Sequence, residues 1–160
     1  MRIARLIVPA LLTALGAFAM GQSNVPPTAT LKFASAKAKP GEKVKATLIL
    51  GFGEGLHAYQ NPPSETYMIP VTVTSSGGIK LLSVVYPKGL NATVGGETKP
   101  VKVYQGTVKI PLLLQAPTKP GAYAALLSIR YQQCNDNSCF APGSLPGTGK
   151  FTVGTAVPKA

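Results

Sequence analysis

Polar and apolar residues alternate along much of this chain. In Lys43-Val44-Lys45-Ala46-Thr47-Leu48-Ile49-Leu50 the alternation opens the stretch and an apolar run completes it. Ile69-Pro70-Val71-Thr72-Val73-Thr74, Val101-Lys102-Val103-Tyr104 and Thr107-Val108-Lys109-Ile110 repeat the pattern. A period of two with β-branched residues predicts half-buried strands. Ile79 to Tyr86 and Ala122 to Tyr131 read as longer apolar strands, with Thr28 to Phe33 the first and Lys150 to Val153 the last. Turn chemistry separates them: Lys39-Pro40-Gly41 and Lys119-Pro120-Gly121 each precede a strand, Ser75-Ser76-Gly77-Gly78 joins two, and Pro87-Lys88-Gly89 closes another. Helical periodicity is nearly absent.

Seven to nine short strands with regular punctuation predict an all-β, immunoglobulin-like antiparallel sandwich. The likeness to antibody domains is architectural only, because the chain has no Trp and its two cysteines are too close in sequence to bridge two sheets. Residues 1–21 read as a leader rather than as part of the sandwich. Arg2 and Arg5 precede the apolar stretch Leu6 to Ala19, and small residues then offer cleavage before Met20 or before Gln22. That stretch is shorter than the ~20 residues of a spanning helix. The expectation is therefore export, one domain over 22–153, a frayed tail over 154–160, and no stable membrane insertion once the leader is cleaved. The destination is the periplasm or the outside of the cell.

Charge adds little. The formal net charge is +11, and losing Arg2 and Arg5 leaves +9. The lysines are spread at alternating positions, as on solvent faces of strands. With one arginine after the leader (Arg130) and no clustered basic patch with stacking aromatics, a solvated basic surface is expected rather than a nucleic-acid site. Two long loops, Gly53 to Met68 and Leu90 to Pro100, are candidates for binding.

The only two cysteines stand in Tyr131-Gln132-Gln133-Cys134-Asn135-Asp136-Asn137-Ser138-Cys139-Phe140-Ala141-Pro142. A strand from Ala125 to Gln133, ended by Cys134, a polar turn and a return at Cys139-Phe140 predict a hairpin. Flanking Cα atoms would lie ~4.5–5.5 Å apart, inside disulfide range. Closing so short a loop contributes only roughly 2 kcal/mol, against ~4.7 for a hundred-residue loop. Spacing alone leaves a structural staple and a reactive pair both open. Zinc needs about four ligands and blue copper needs two histidines beside its cysteine; Cys134, Cys139 and the lone His57 supply neither, so no metal or other cofactor is expected. His57 reads as a plain surface or packing residue. No neighbour in sequence depresses a thiol pKa, and Asp136 would raise one. The disulfide thus suits attack by a partner's thiolate better than a thiol here suits attack on others.

The cysteine stretch resembles the active-site hairpin of the N-terminal periplasmic domain of the thiol–disulfide interchange protein DsbD. Gly55-Leu56-His57-Ala58-Tyr59-Gln60-Asn61-Pro62-Pro63-Ser64-Glu65-Thr66-Tyr67-Met68-Ile69-Pro70, Val84-Val85-Tyr86-Pro87-Lys88-Gly89 and Val103-Tyr104-Gln105-Gly106 extend the resemblance in order over most of residues 30 to 153. It implies a protein-disulfide reductase-type domain that takes reducing equivalents from a membrane thiol carrier and passes them to thioredoxin-like proteins by mixed disulfides. Cys134 and Cys139 would be the redox pair, with Cys139 forming the mixed disulfide. Tyr131, Phe140, Tyr59 and Tyr67 would line the pocket. A cap loop over the cysteines would match Leu90 to Val103. That loop has no Phe or Tyr near Gly95-Gly96-Glu97, so Val94 is the nearest apolar cap residue, and Ala141-Pro142 stands in place of a double proline. The membrane and thioredoxin-like parts of the relatives have no match here, so other chains are expected to supply and receive the electrons. The alternative is a non-catalytic immunoglobulin-like binding module whose hairpin disulfide is permanent.

Overall fold

A computed structural model describes residues 25–94 and 97–154. The expected leader lies outside the described residues, as do Gly95 and Gly96 of the cap and the tail beyond Gly154. In chain order the strands are β1 (Thr28–Phe33), β2 (Lys37–Ala38), β3 (Lys43–Gly51), β4 (His57–Tyr59), β5 (Thr72–Gly77), β6 (Lys80–Val84), β7 (Leu90–Ala92), β8 (Val101–Gln105), β9 (Thr107–Gln115), β10 (Gly121–Tyr131), β11 (Gln133–Cys134) and β12 (Gly143–Val153). Eight of these strands have five residues or more, as the sandwich reading expects. The four others, of two or three residues, are additions.

Two four-stranded sheets, ordered β1-β3-β9-β6 and β2-β12-β10-β5, make the immunoglobulin-like sandwich. All pairings are antiparallel except the short parallel contact of β2 with the end of β12. The period-two pattern decides which side chains fill the space between them. Val44, Ala46, Leu48 and Leu50 of β3 point inward while Lys43 and Lys45 face water. Ile110, Leu112 and Leu114 of β9 meet Ala125, Leu127 and Ile129 of β10 and Phe151 and Val153 of β12 in one buried cluster. Each fully buried Leu or Ile contributes about 1.5–3 kcal/mol.

Two strands depart from the sequence reading. The last strand was expected only over Lys150 to Val153, yet β12 begins at Gly143. Gly147 and Gly149 look like breakers in sequence. In the fold they make room: a Cβ on Gly147 would sit 2.9 Å from Ile129 Cδ1, and one on Gly149 would sit 2.8 Å from Phe33 Cε2. Pro146 lies where β12 has no outer neighbour, since β2 pairs only with Thr152 and Val153, and an edge tolerates proline. Likewise Ser75-Ser76-Gly77, read as a turn, continues β5, which starts at Thr72 and not at Ile69. The turn falls at Gly78, with left-handed backbone at φ 72° and a Cβ position only 1.8 Å from the Ala124 carbonyl oxygen. Only glycine meets both demands.

A third sheet, ordered β11-β4-β8-β7, was not expected. It splits the long loop Gly53 to Met68 by placing β4 inside it. Its two faces do different work. Ala58 and Tyr104 join the main core, and the Tyr104 hydroxyl donates to the Pro87 carbonyl at 2.8 Å. The opposite face carries a second, smaller cluster of Tyr59, Met68, Val94, Val101, Val103 and Cys134. The loop is pinned to this sheet, with Gly89 N–H donating to Gln60 Oε1 at 2.8 Å and Lys102 N–H to Ser64 Oγ at 2.9 Å. Among the described residues no helix is long and apolar enough to cross a membrane.

Candidate functional site

The cysteine pair hangs from the end of β10, one of the two eleven-residue strands of the sandwich. β10 ends at Tyr131, and after Gln132 the chain enters β11, which pairs with β4 in the third sheet. The expected continuous strand to Gln133 is therefore broken at Gln132, because the chain changes sheets there. The turn beyond is closed by its own polar groups. Asn135 Oδ1 accepts from the N–H groups of Asn137 at 2.9 Å and Ser138 at 2.8 Å, and Asn135 N–H donates to the Ser138 carbonyl at 2.9 Å. Phe140 N–H donates to the Gln133 carbonyl at 2.8 Å, and Gln132 Nε2 donates to the Phe140 carbonyl at 3.1 Å. This turn chemistry draws the two Cα atoms to 3.9 Å, closer than a standard hairpin pair, and Cys134 and Cys139 form a disulfide.

The two sulfurs do not share one environment. Cys134 is 0 % exposed and packs in the small cluster with Val94 and Val103, while Cys139 is exposed. The Tyr59 hydroxyl lies 3.4 Å from Cys139 Sγ and donates to it, since a disulfide sulfur has no proton to give. Burial, helped by the charge of Glu97, raises the Tyr59 pKa above the usual phenol range, so this hydroxyl stays a donor at neutral pH.

Of the residues suggested by the sequence, Tyr59 and Val94 are brought to the pair. Val94, the cap candidate, packs in the cluster that holds Cys134, and the Glu97 N–H donates to the Val94 carbonyl at 3.0 Å. Tyr67 is 66 % exposed and does not enter the pocket. Its hydroxyl donates to Glu97 Oε2 at 2.7 Å, joining the long loop to the cap. That bond, first among its causes, pushes the Tyr67 pKa up to about 12. Phe140 is half-buried and is tied to the turn through its backbone. Tyr131 goes elsewhere: it packs against the main core, with its hydroxyl beside Gly143, because the chain has not yet left the sandwich at that residue.

His57 was read as a surface or packing residue, and its position is more specific than that. It is 4 % exposed and is the direct register partner of Cys134 across β4 and β11. Directly opposed residues share a face, with Cβ atoms ~4.5–5.5 Å apart. The nearest sequence signal was its place in a period-two stretch with Tyr59. Burial lowers its pKa below the ordinary value, and the charge of Asp136 opposes that shift. Among the described residues no group of three or more His, Cys, Asp or Glu side chains is arranged to hold a metal ion.

The sequence matches the family model described as thiol:disulfide interchange protein DsbD, N-terminal, over residues 22–145. No curated protein matches it. Among solved structures the chain is similar to the DsbD N-terminal domain of Neisseria meningitidis in its reduced form, with TM-score 0.44 and 16% identity over 72% of this chain and 84% of that one. It is also similar to part of a family 123 glycoside hydrolase from Clostridium perfringens, with TM-score 0.37 and 13% identity over 82% of this chain and 28% of that one.

Proposed function

The chain belongs to the family of the N-terminal domain of the thiol:disulfide interchange protein DsbD, and on that premise we propose that Cys134 and Cys139 are its redox pair, cycling between disulfide and dithiol. The observation that carries this reading is the unequal burial of the two sulfurs, Cys134 at 0 % exposure and Cys139 open to solvent. An incoming thiolate reaches Cys139 first. It bonds to Cys139 Sγ, the Cys134–Cys139 bond breaks, and Cys134 leaves with the electron pair. A second thiol of the donor then resolves the mixed disulfide, leaving a dithiol domain and an oxidised donor. In the opposite half of the cycle the Cys139 thiolate attacks an acceptor's disulfide, and Cys134 resolves that intermediate.

The donor is a membrane thiol carrier and the acceptors are thioredoxin-like proteins, in keeping with a domain that works in the periplasm after its leader is removed. The domain over 22–153 needs no cofactor for this, since both electrons travel in sulfur–sulfur bonds. Tyr59 assists by donating to Cys139 Sγ, which stabilises the charge that sulfur carries as an attacking or leaving thiolate. Val94 and its neighbours keep water and stray oxidants from Cys134.

Equilibration of the purified domain against glutathione buffers tests the reading. A reduction potential in the range of known exchange proteins, roughly −180 to −270 mV, is expected, and Cys134→Ala should then accumulate a mixed disulfide at Cys139. A value well below about −300 mV would mark a permanent staple, and the binding-module reading would replace this one.

A further inference from the structure

Resolution poses a chemical difficulty. When the dithiol domain has attacked an acceptor, Cys134 must lose its proton before it can displace the acceptor from Cys139. Cys134 is buried among Val94, Val101 and Val103, and apolar burial disfavours a thiolate. A group beside it has to take the proton.

We infer that His57 is the base that takes the Cys134 proton and releases it into the adjoining cavity, so that resolution is assisted while the first attack through Cys139 is not. This rests on the redox reading above. Three structural observations carry it. His57 is opposed in register to Cys134, so the two side chains stand side by side on one face of the small sheet. Its Nε2 is buried with no hydrogen-bond partner among the described residues, an arrangement that is costly unless the atom has work to do. His57 also lines a cavity of about 400 Å³, whose wall includes Glu54, Leu90, Gln105 and Asp136.

The groups facing His57 fit the role. β11 contributes Cys134, and the turn beyond it contributes Asp136. β8 contributes uncharged Gln105 as the other register partner. Lys102 falls on the other face of β8 by alternation. Glu54 comes from the segment before β4, and Tyr59 is the other titratable group on β4's same face. Burial lowers the His57 pKa below the ordinary value against the opposing charge of Asp136, so the ring is neutral near pH 7, as a base must be. The balance is complete. The Cys134 S–H gives its proton to the imidazole, and the thiolate bonds to Cys139 Sγ. The bond from Cys139 to the acceptor breaks, and the acceptor leaves as a thiolate with the electron pair. The proton on His57 passes to water in the cavity, beside the Asp136 and Glu54 carboxylates.

Dithiobis(nitrobenzoate) separates the two steps, because the reduced domain should release two coloured thiolates in sequence. The first, from attack by Cys139, depends on reagent concentration, and the second, from resolution by Cys134, does not. His57→Gln should slow the second phase by about a hundredfold, the usual scale of general-base assistance. It should also abolish the fall in that phase on the acid side of the histidine range. In His57→Ala, which opens further space beside the cavity, added imidazole should restore the second phase, with circular dichroism checking the fold of both variants. A second phase that is as fast in both variants as in the wild type overturns the inference. So does a slow phase that imidazole does not restore. A wild-type domain that never releases the second thiolate would overturn the redox reading itself, and this inference with it.

Discussion

The protein has two apolar clusters, and they are built for different purposes. The large one lies between two sheets and gathers Leu48, Leu50, Ile110, Leu114, Leu127 and Ile129, each at most 1 % exposed. The small one lies on the outer face of a three-residue strand and its neighbours, and holds six buried residues including Cys134. The first contributes stability in proportion to buried area. The second is too small to add much, and its members instead surround one sulfur atom. On the proposed redox reading, the contrast assigns burial near the cysteines to control of reactivity, and burial in the sandwich to stability.

Paired truncations are the strongest way to break that contrast. Leu48→Ala should lose about 2–5 kcal/mol, seen as a lower urea midpoint, and leave the reduction potential of the pair unchanged. Val94→Ala should lose only about 1.5 kcal/mol, two methyl groups at ~0.8 each, yet speed alkylation of Cys134 in the reduced domain several-fold. If Leu48→Ala moved the potential, or sped alkylation of Cys134 as much as Val94→Ala did, the two clusters would not be separable.

Tyr59→Phe gives the next largest effect. It removes the hydroxyl at Cys139 Sγ, and a hydrogen bond to a charged group contributes about 1.5–3 kcal/mol, or about one to two pKa units. The pH profile of Cys139 alkylation in the reduced protein should shift upward by that amount, with little change in the urea midpoint. An unshifted profile would remove Tyr59 from the chemistry.

The smallest effect concerns the link from the long loop to the cap. Glu97→Gln should return the Tyr67 titration from about 12 toward the ordinary phenol value, as read by ultraviolet absorbance against pH. The folded pKa is raised, so the contribution of this contact is present below the ordinary phenol pKa and is lost as pH climbs through the folded value. Because Tyr67 is exposed, stability at neutral pH should barely change.

These effects also mark what could be read in the sequence. β3 and β9 follow from alternation because one face of each is buried in the large core, and β8 because Val101 and Val103 are buried in the small one, while β1 and β10 were read from their place in the chain and their apolar content. The first half of β12 was hidden, since Gly147 and Gly149 carry no side chain to display the pattern, and the space they leave is filled by Ile129 and Phe33. The cysteine pair was visible from residue identity and resemblance, and Val94 from being the apolar residue nearest the cap tip. His57 could not be assigned, because its pairing with Cys134 joins two short strands far apart in the chain. Tyr131 was misplaced as a pocket residue for a related reason: nothing in Tyr131-Gln132-Gln133 announces that the chain changes sheets at Gln132.

The hydrogen bonds that close the turn at Asn135 do not involve sulfur. With the disulfide opened, they would still hold Cys134 beside Cys139, so the loop entropy of bringing the thiols together is already spent. Well-oriented groups of this kind react as if at effective concentrations of about 10⁵–10⁸ M, far above any external thiol. On the proposed cycle a mixed disulfide formed on Cys139 would therefore be a brief species, and collapse to the internal disulfide would outrun rescue by bystander thiols. Reaction with the wrong partner becomes self-correcting: any adduct on Cys139 is expelled by the neighbouring sulfur before it can persist.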